Sequence, residues 1–409
     1  MSIRPILASL SRHKIAAVLI VFEIALALAI VSNAVFIIHN RLQRMDMRSG
    51  IAENELVEVQ MAYIDHQPDA DARARTDLAA LRQIPGVRAA ALVDQLPFGY
   101  SSSNGGIALT PDQRQPTVNA SEYFGEGLID ALGVRLIEGR RFAPDEYIDL
   151  GAAITALHTG NTRLLPHTVI VTRALAQRLW PGQPALGHSI YMGNAIRMQV
   201  VGVVDRLVRP HQFNNGAEYS VILPVRVNMQ DGALFALRCA PQDRERVLKA
   251  AVATLKRVDP NRVLLHHRTF EQIRHEFFQN DRAMAGILAT VIVALLLTTA
   301  LGIYGLASFW VQQRTRQIGV RRALGARRID ILRYFQTENA LLVLAGVVLG
   351  CAAALGISVW LMAHYEMPRL PMTYLGIGAL AVAALGQLSV LGPALRASRV
   401  PPTTAMRTA

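Results

Sequence analysis

Residues 15–38 read IAAVLIVFEIALALAIVSNAVFII, 24 residues with a single ionisable group, Glu23. About 20 apolar residues cross a hydrocarbon core when each rises 1.5 Å along a helix. Three further runs meet the same condition: Met284–Val311, Ala340–Ala363 and Tyr374–Leu395, the shortest of them 22 residues long. The 409-residue chain is 52% hydrophobic and only 18% charged, against about 25% charged in ordinary soluble domains. A soluble enzyme is excluded, and a membrane protein with four transmembrane α-helices is predicted. The first run has a basic flank, but it exceeds the roughly 7–15 apolar residues of a signal peptide and no A-x-A cleavage pattern follows. It reads as a retained span.

The net charge of +12 would suggest nucleic acid as a partner until its location is considered. Of 42 basic and 30 acidic residues, 13 and 2 lie in Met1–Lys14, Gln312–Asn339 and Arg396–Ala409, leaving 29 basic and 28 acidic elsewhere. Short loops rich in Lys and Arg stay cytoplasmic. Both termini and the middle segment are therefore assigned to the inside, and no nucleic-acid partner is needed to explain the imbalance. The layout that follows is a cytoplasmic N-terminus (1–14), a first span (15–38) and a large outer domain with stalk helices (39–283). A second span (284–311), a cytoplasmic segment (312–339), a third span (340–363), a short outer loop (364–373), a fourth span (374–395) and a cytoplasmic tail (396–409) complete it.

The outer domain reads as α/β. Strand–helix–strand patterns occupy Leu56–Ala62, Asp69–Gln83 and Arg88–Leu96, and again Ala233–Cys239, Pro241–Val258 and Arg262–Thr269. These two units are expected to pair into one layer, with a more β-rich insertion between them. In that insertion Thr168–Val171 is a strand, and Ser189–Met192 with Ile196–Val204 forms a hairpin turning at Gly193-Asn194. Gly99–Gly106 (GYSSSNGG) reads as a flexible loop and Gly151–Thr162 as a surface insertion. Ile38–Arg48 and Phe270–Arg282 extend the first two spans outward and would form a stalk. Cys239 and Cys351 fall in different compartments, so no internal disulfide is expected.

No catalytic or metal-binding constellation stands out. None of the three lysines follows a glycine, as a nucleotide-binding Walker A loop requires. His275-Glu276-Phe277-Phe278-Gln279 begins like a zinc-protease helix but lacks the second histidine. Glu23 inside a span has two readings, a contact in a translocation path or a polar contact between helices, and the second is favoured. Gly346, Gly350 and Ala354 form a small-residue stripe that lets another helix approach closely.

The segment 317–332, QIGVRRALGARRIDIL, leaves the second span as a short helix, breaks at Gly325 and restarts towards the third span. Residues three apart share a helix face, which aligns Ile318, Arg321 and Leu324 with Arg322 on the flank. Two readings stay open on these residues alone: an anchor touching anionic membrane lipid, or a helix docked in a groove of a cytoplasmic partner.

This segment resembles the cytoplasmic loop of the MacB/FtsX-like ABC transporter permeases, whose pattern runs approximately E-I-G-I-R-R-A-L-G-A. Asn119–Phe124, Leu132-Gly133, Glu138–Phe142, Val169–Val171, Gly187 and Val200–Val204 are similar to the family's outer domain. Pro393–Pro401 with Ala405-Met406-Arg407 resembles its C-terminal signature. Gln317 departs from the usual Glu, and Pro401-Pro402 from the usual Asp-Pro. The resemblance implies two permeases per complex, identical or paralogous, and two cytoplasmic ATPase domains. With no ATPase domain in this chain, those domains are expected as separate subunits that bind ATP and magnesium, and the chain itself is expected to hold no cofactor and catalyse nothing. Ile318, Gly319, Arg321, Arg322, Leu324 and Gly325 become the expected ATPase-coupling residues. The location implied is a bacterial inner membrane. The function implied is mechanotransmission for export or extraction of peptides, antibiotics or lipoproteins, with room for a periplasmic adaptor protein. An FtsX-like signalling permease that regulates a cell-wall partner is the alternative. A receptor ectodomain with no ATPase is disfavoured by the coupling segment.

The charge distribution yields a direct test. Single cysteines placed near Arg328 are expected to react with an impermeant maleimide only from the cytoplasmic side, and ones near Asn104 only from outside. The opposite labelling pattern would overturn the topology.

Overall fold

The computed structural model describes residues 14–63, 69–193, 196–211, 216–228, 232–365 and 369–399. Arg4 and Arg12, Asn194 at the hairpin turn, part of the short outer loop, and the tail with Pro401-Pro402 and Arg407 lie outside them. The chain forms two compact units, Met1–Asp46 with Asn280–Ala409, and Met47–Gln279.

A single long helix, α1 (Lys14–Met45), opens the first unit. The second unit begins with β1 (Leu56–Tyr63), α2 (Ala70–Arg82), β2 (Val87–Val93), β3 (Asn104–Ala108) and β4 (Val118–Phe124). It continues with α3 (Leu128–Leu132), β5 (Leu136–Gly139), β6 (Ile148–Asp149), α4 (Leu150–His158), β7 (Thr168–Thr172) and α5 (Arg173–Leu179). The remainder is β8 (Ser189–Met192), β9 (Ile196–Val204), β10 (Ser220–Leu223), β11 (Val225–Arg226), β12 (Ala233–Cys239), α6 (Arg244–Val258), β13 (Arg262–Thr269) and α7 (Phe270–Phe277).

The two β-α-β units interlock in one antiparallel sheet of order β13-β1-β12-β2, the split arrangement of ferredoxin-like folds. Val247, Ala251 and Leu255 recur at helical spacing on α6 and bury against Val57, Val59, Phe235 and Leu237 of the sheet, with Leu81 of α2 beside them. Strands β3 to β10 build the insertion. Its sheet runs β5-β9-β7-β10-β4-β3-β8, and β8 also pairs with β9, so six strands close into a ring. Closure removes most of the unpaired edge that an open sheet would expose.

Two sequence readings of the insertion need correction. Asn104–Ala108 is strand β3 rather than part of a flexible loop. Glycine there reflects close approach, because a Cβ on Gly105 would stand 1.7 Å from Glu122 Oε1 across the strand pair. Residues 150–158 form α4, whose Ala153 and Ala156 belong to the barrel core, so small residues there mark packing and not a surface addition.

Sheet and barrel meet at a buried polar junction. Asp94, just after β2, accepts a hydrogen bond from the Phe124 backbone N–H at 2.8 Å. Gln95 donates to the Glu122 carbonyl and accepts from the Ser103 backbone. Burial pushes the Asp94 carboxyl up to about 8 against three backbone donors that hold it down, and nearby Glu122 adds to the rise.

The first unit continues with α8 (Gln279–Gln313), α9 (Thr315–Ala323), α10 (Arg328–Tyr365) and α11 (Met372–Ser398). Helices α1, α8, α10 and α11 are long and apolar enough to cross a membrane. The lead into α8 is not one continuous helix: α7 stops at Phe277, and buried Phe278 forms the break before Gln279. Arg41 of α1 and Asp281 of α8 form an ion pair. Helix α10 lies along α1. A Cβ on Gly346 would come within 2.6 Å of Ile24 Cγ2, and one on Gly350 within 2.9 Å of the Ala25 carbonyl oxygen. Asn33 donates to the Ala354 carbonyl at 3.1 Å, and Asn339 of α10 donates to the Gly386 carbonyl of α11 at 2.9 Å. By contrast α8 has no buried residue from Gln279 to Thr298; its buried side chains begin at Thr299.

Gly350→Ala is expected to lower the melting temperature of the purified protein in detergent, since overpacking costs about 1–3 kcal/mol. Gly356→Ala, where nothing lies within 4 Å, is expected to leave it unchanged or raise it. Equal behaviour of the two variants would refute close α1–α10 packing.

The Asp94 environment gives a pH dependence of defined sign. With the native carboxyl near 8 and the unfolded one at about 3.9, the native state binds more protons between those values, so stability falls as pH rises through that window. Chemical denaturation at pH 5 and pH 8 is expected to show a more resistant outer domain at pH 5, with Asp94→Asn flattening the difference. An unchanged difference in Asp94→Asn would count against this site.

Candidate coupling site

The site lies where α8 hands over to α10. Helix α8 ends at Gln313, Arg314 serves as the N-cap residue of α9, and α9 runs only nine residues. Its end follows from local chemistry. Gly325 adopts φ +97°, Ala326 N–H bonds back to the Arg321 carbonyl, and Gly325 N–H to that of Arg322. This is the paired closure that a left-handed glycine makes possible. The next helix starts two residues later, with the Arg327 backbone N–H donating to the Asp330 carboxylate at 2.9 Å, half of a capping box.

The predicted docking stripe is corrected by this geometry. Ile318 is 4% exposed and packs into the helix core with Ile331 and Phe335 of α10. Gly319 is buried as well. The cause is helical phase: the inward stripe of α8, through Ile303, Ala307 and Val311, carries on past Arg314 to Ile318 at the same spacing. Leu324 is 83% exposed and Val320 is also exposed, and with Gln317 they make the outward face one helical step round from Ile318. Arg321 bridges the two faces, its guanidinium 4.7 Å from the Tyr334 ring centroid, a cation–π stack that fixes the side chain along α10. Arg322 reaches the Ser398 carbonyl at 3.3 Å, close to the end of α11.

The sequence reading missed the group that holds this corner together. Arg314 Nη1 donates to both carboxylate oxygens of Glu338, at 3.0 and 2.8 Å, and its guanidinium also faces the Trp310 ring. Glu338 is almost fully buried. Counted in sequence as a loop acid, it lies ten residues inside α10; an acid flush against a long apolar run was the available signal. Glu23, singled out in sequence, rests against Gly302 of α8 and makes no hydrogen bond among the described residues. The structure thus brings Ile318, Gly319, Arg321, Arg322, Leu324 and Gly325 into one corner, and sets Gly346, Gly350 and Ala354 apart, against α1.

Residues 17–255 match the family described as the MacB-like periplasmic core domain, and residues 289–402 match the FtsX-like permease C-terminal family. An ABC transporter permease of Bacillus subtilis, YvrN, is 24% identical over 79% of this chain and 78% of its own length. The macrolide export ATP-binding/permease protein MacB of Chromobacterium violaceum is 26% identical over 72% of this chain. The chain spans only 44% of that relative's length. The periplasmic region of MacB from Actinobacillus actinomycetemcomitans aligns with 57% of this chain and 97% of its own, at 13% identity and a TM-score of 0.33, too slight a likeness to add to the fold. Two family matches, one to the outer domain and one to the helical part, together cover most of the residues, and an ABC transporter permease family implies a partnering ATPase. This chain belongs to the MacB/FtsX-like family of ABC transporter permeases.

Proposed function

We propose that the chain is the permease subunit of a MacB-type transporter, in which a separate cytoplasmic ATPase dimer drives movement of the outer domain. A second permease, identical or paralogous, completes the complex in a bacterial inner membrane with both termini inside. The work done is export or extraction of peptides, antibiotics or lipoproteins, and relatives named for macrolide and pyoverdine export support export as the class of activity. A periplasmic adaptor protein fits that role.

The observation that carries the reading is the outward face of α9. A helix of nine residues, locked from behind by Ile318 and closed at one end by Gly325, presents Val320 and Leu324 among Gln317, Arg316 and Arg327, all exposed. An apolar strip framed by guanidinium groups suits a groove with an apolar floor and acidic rim. A lipid anchor would not need the strip to be held rigidly from behind.

Val320→Asp with Leu324→Asp is expected to weaken ATPase association roughly 10- to 100-fold, as losing an interface anchor does, while the permease still purifies as a folded protein. Ile318→Asp is expected to do the reverse and destabilise the permease itself, because it buries a carboxylate in the α9–α10 crease. Full permease-dependent stimulation of the ATPase by the Val320/Leu324 variant would sink the assignment.

A further inference from the structure

The break between α8 and α9 falls on Arg314, whose backbone N–H still bonds back to Trp310 and Val311 of α8 while its side chain reaches across to Glu338 of α10. Behind that ion pair the α9–α10 crease is closed by Ile318 against Ile331 and Phe335. From there α10 has a continuous inward stripe: Phe335, Glu338, Leu342, Gly346, Gly350 and Ala354 are all buried. Gly346 and Gly350 bring the α10 backbone against Ile24 and Ala25 of α1, and Asn33 of α1 donates to the Ala354 carbonyl. Every step from the coupling corner to α1 is therefore a buried contact. Helix α8 is buried only in its inner half, from Thr299 to Val311, and none of its residues from Gln279 to Thr298 is buried, so its packed route to α1 is the shorter of the two.

We infer that the Arg314–Glu338 pair is a pivot that makes α9 and α10 move as one body, so that displacement of α9 reaches α1 through α10 while α8 bends at Arg314. Arg314 and Glu338 are positioning residues, acting through the helix they hold. The inference rests on the proposed coupling of this corner to an ATPase. A charge-assisted contact suits the role: one guanidinium nitrogen donates to both carboxylate oxygens and holds the two helices at a short distance, and a packed interface between two helices shifts as a unit and does not deform gradually. Closed inside the helix core, the pair also has little water to compete with it. Apolar residues can replace such a buried pair without loss of folding, but they carry no charge-assisted link between the helices.

The test measures distances in the complex of permease and partner ATPase in lipid nanodiscs, in a Cys351→Ala background. Spin labels are placed at Ala323→Cys with Leu344→Cys, joining α9 to α10, and at Ala323→Cys with Leu301→Cys, joining α9 to α8. All three positions are exposed. Between the nucleotide-free and vanadate-trapped states the α9–α10 distance is expected to hold, while the α9–α8 distance shifts by ~2 Å or more, the scale of helix shifts in switching proteins. In Arg314→Met with Glu338→Leu the α9–α10 distance is expected to shift as well. A wild-type complex in which the α9–α10 distance changes, or an apolar variant in which it stays fixed while α9–α8 moves, overturns the pivot alone. If neither distance changes in the wild-type complex, the coupling reading fails and the pivot fails with it.

Discussion

The close approach of α10 to α1 is the constraint on which the membrane unit depends. Lipid tails are as apolar as leucine, so burying apolar side chains does not by itself draw helices together in a bilayer. What remains is tight packing and hydrogen bonding, and both need backbones near each other. Gly346 and Gly350 remove the side chains that would hold the helices apart, and the gap they leave is filled by Ile24, Ala25 and Leu28. With that seam in place, Asn33 and Asn339 find carbonyl partners on neighbouring helices, and α11 closes against α1 where Gly378 meets Ser32.

The coupling corner inherits its orientation from this seam. Its local devices, the left-handed Gly325 and the Asp330 cap, decide only where α9 stops and α10 starts. Which side of α9 faces inward is decided by the phase of α8 and by Ile331 and Phe335 on α10. Arg314 then finds a buried carboxylate where a cation would otherwise be costly. The same corner therefore has two sides, one held by core contacts and one left exposed at Val320 and Leu324.

In the outer domain, ion pairs are placed where the sheet could not otherwise accept charge. Arg262 meets Asp77 at 2.7 Å with both side chains buried, and Arg268 meets Glu58 directly across the β1–β13 pair. Buried pairs of this kind add little net stability, but losing one partner strands a charge. Their geometric effect is to tie β13 both to its neighbouring strand and to α2. Phe98, fully buried at φ 60°, adds a strained backbone position, held by Phe278 and by the Arg274 guanidinium 5.0 Å above its ring. Strain of this order persists only where surrounding contacts over-determine it.

Patterns with a short physical range were legible in the sequence. Four apolar runs, each long enough to span hydrocarbon, read as four helices because a bilayer leaves the backbone almost no other choice. The two β-α-β units and the break at Gly325 were legible for the same reason: alternation, helical spacing and a glycine's left-handed conformation act over a few residues. Tertiary structure alone decided the rest. Nothing within 94–124 announces that GYSSSNGG turns into a strand over Glu122, because that depends on a neighbour across the sheet. The inward turn of Ile318 and the pairing of Arg314 with Glu338, 24 positions apart, depend on how α8 and α10 pack. A short helix read alone has several faces that could be the buried one, and only the helix beside it selects which.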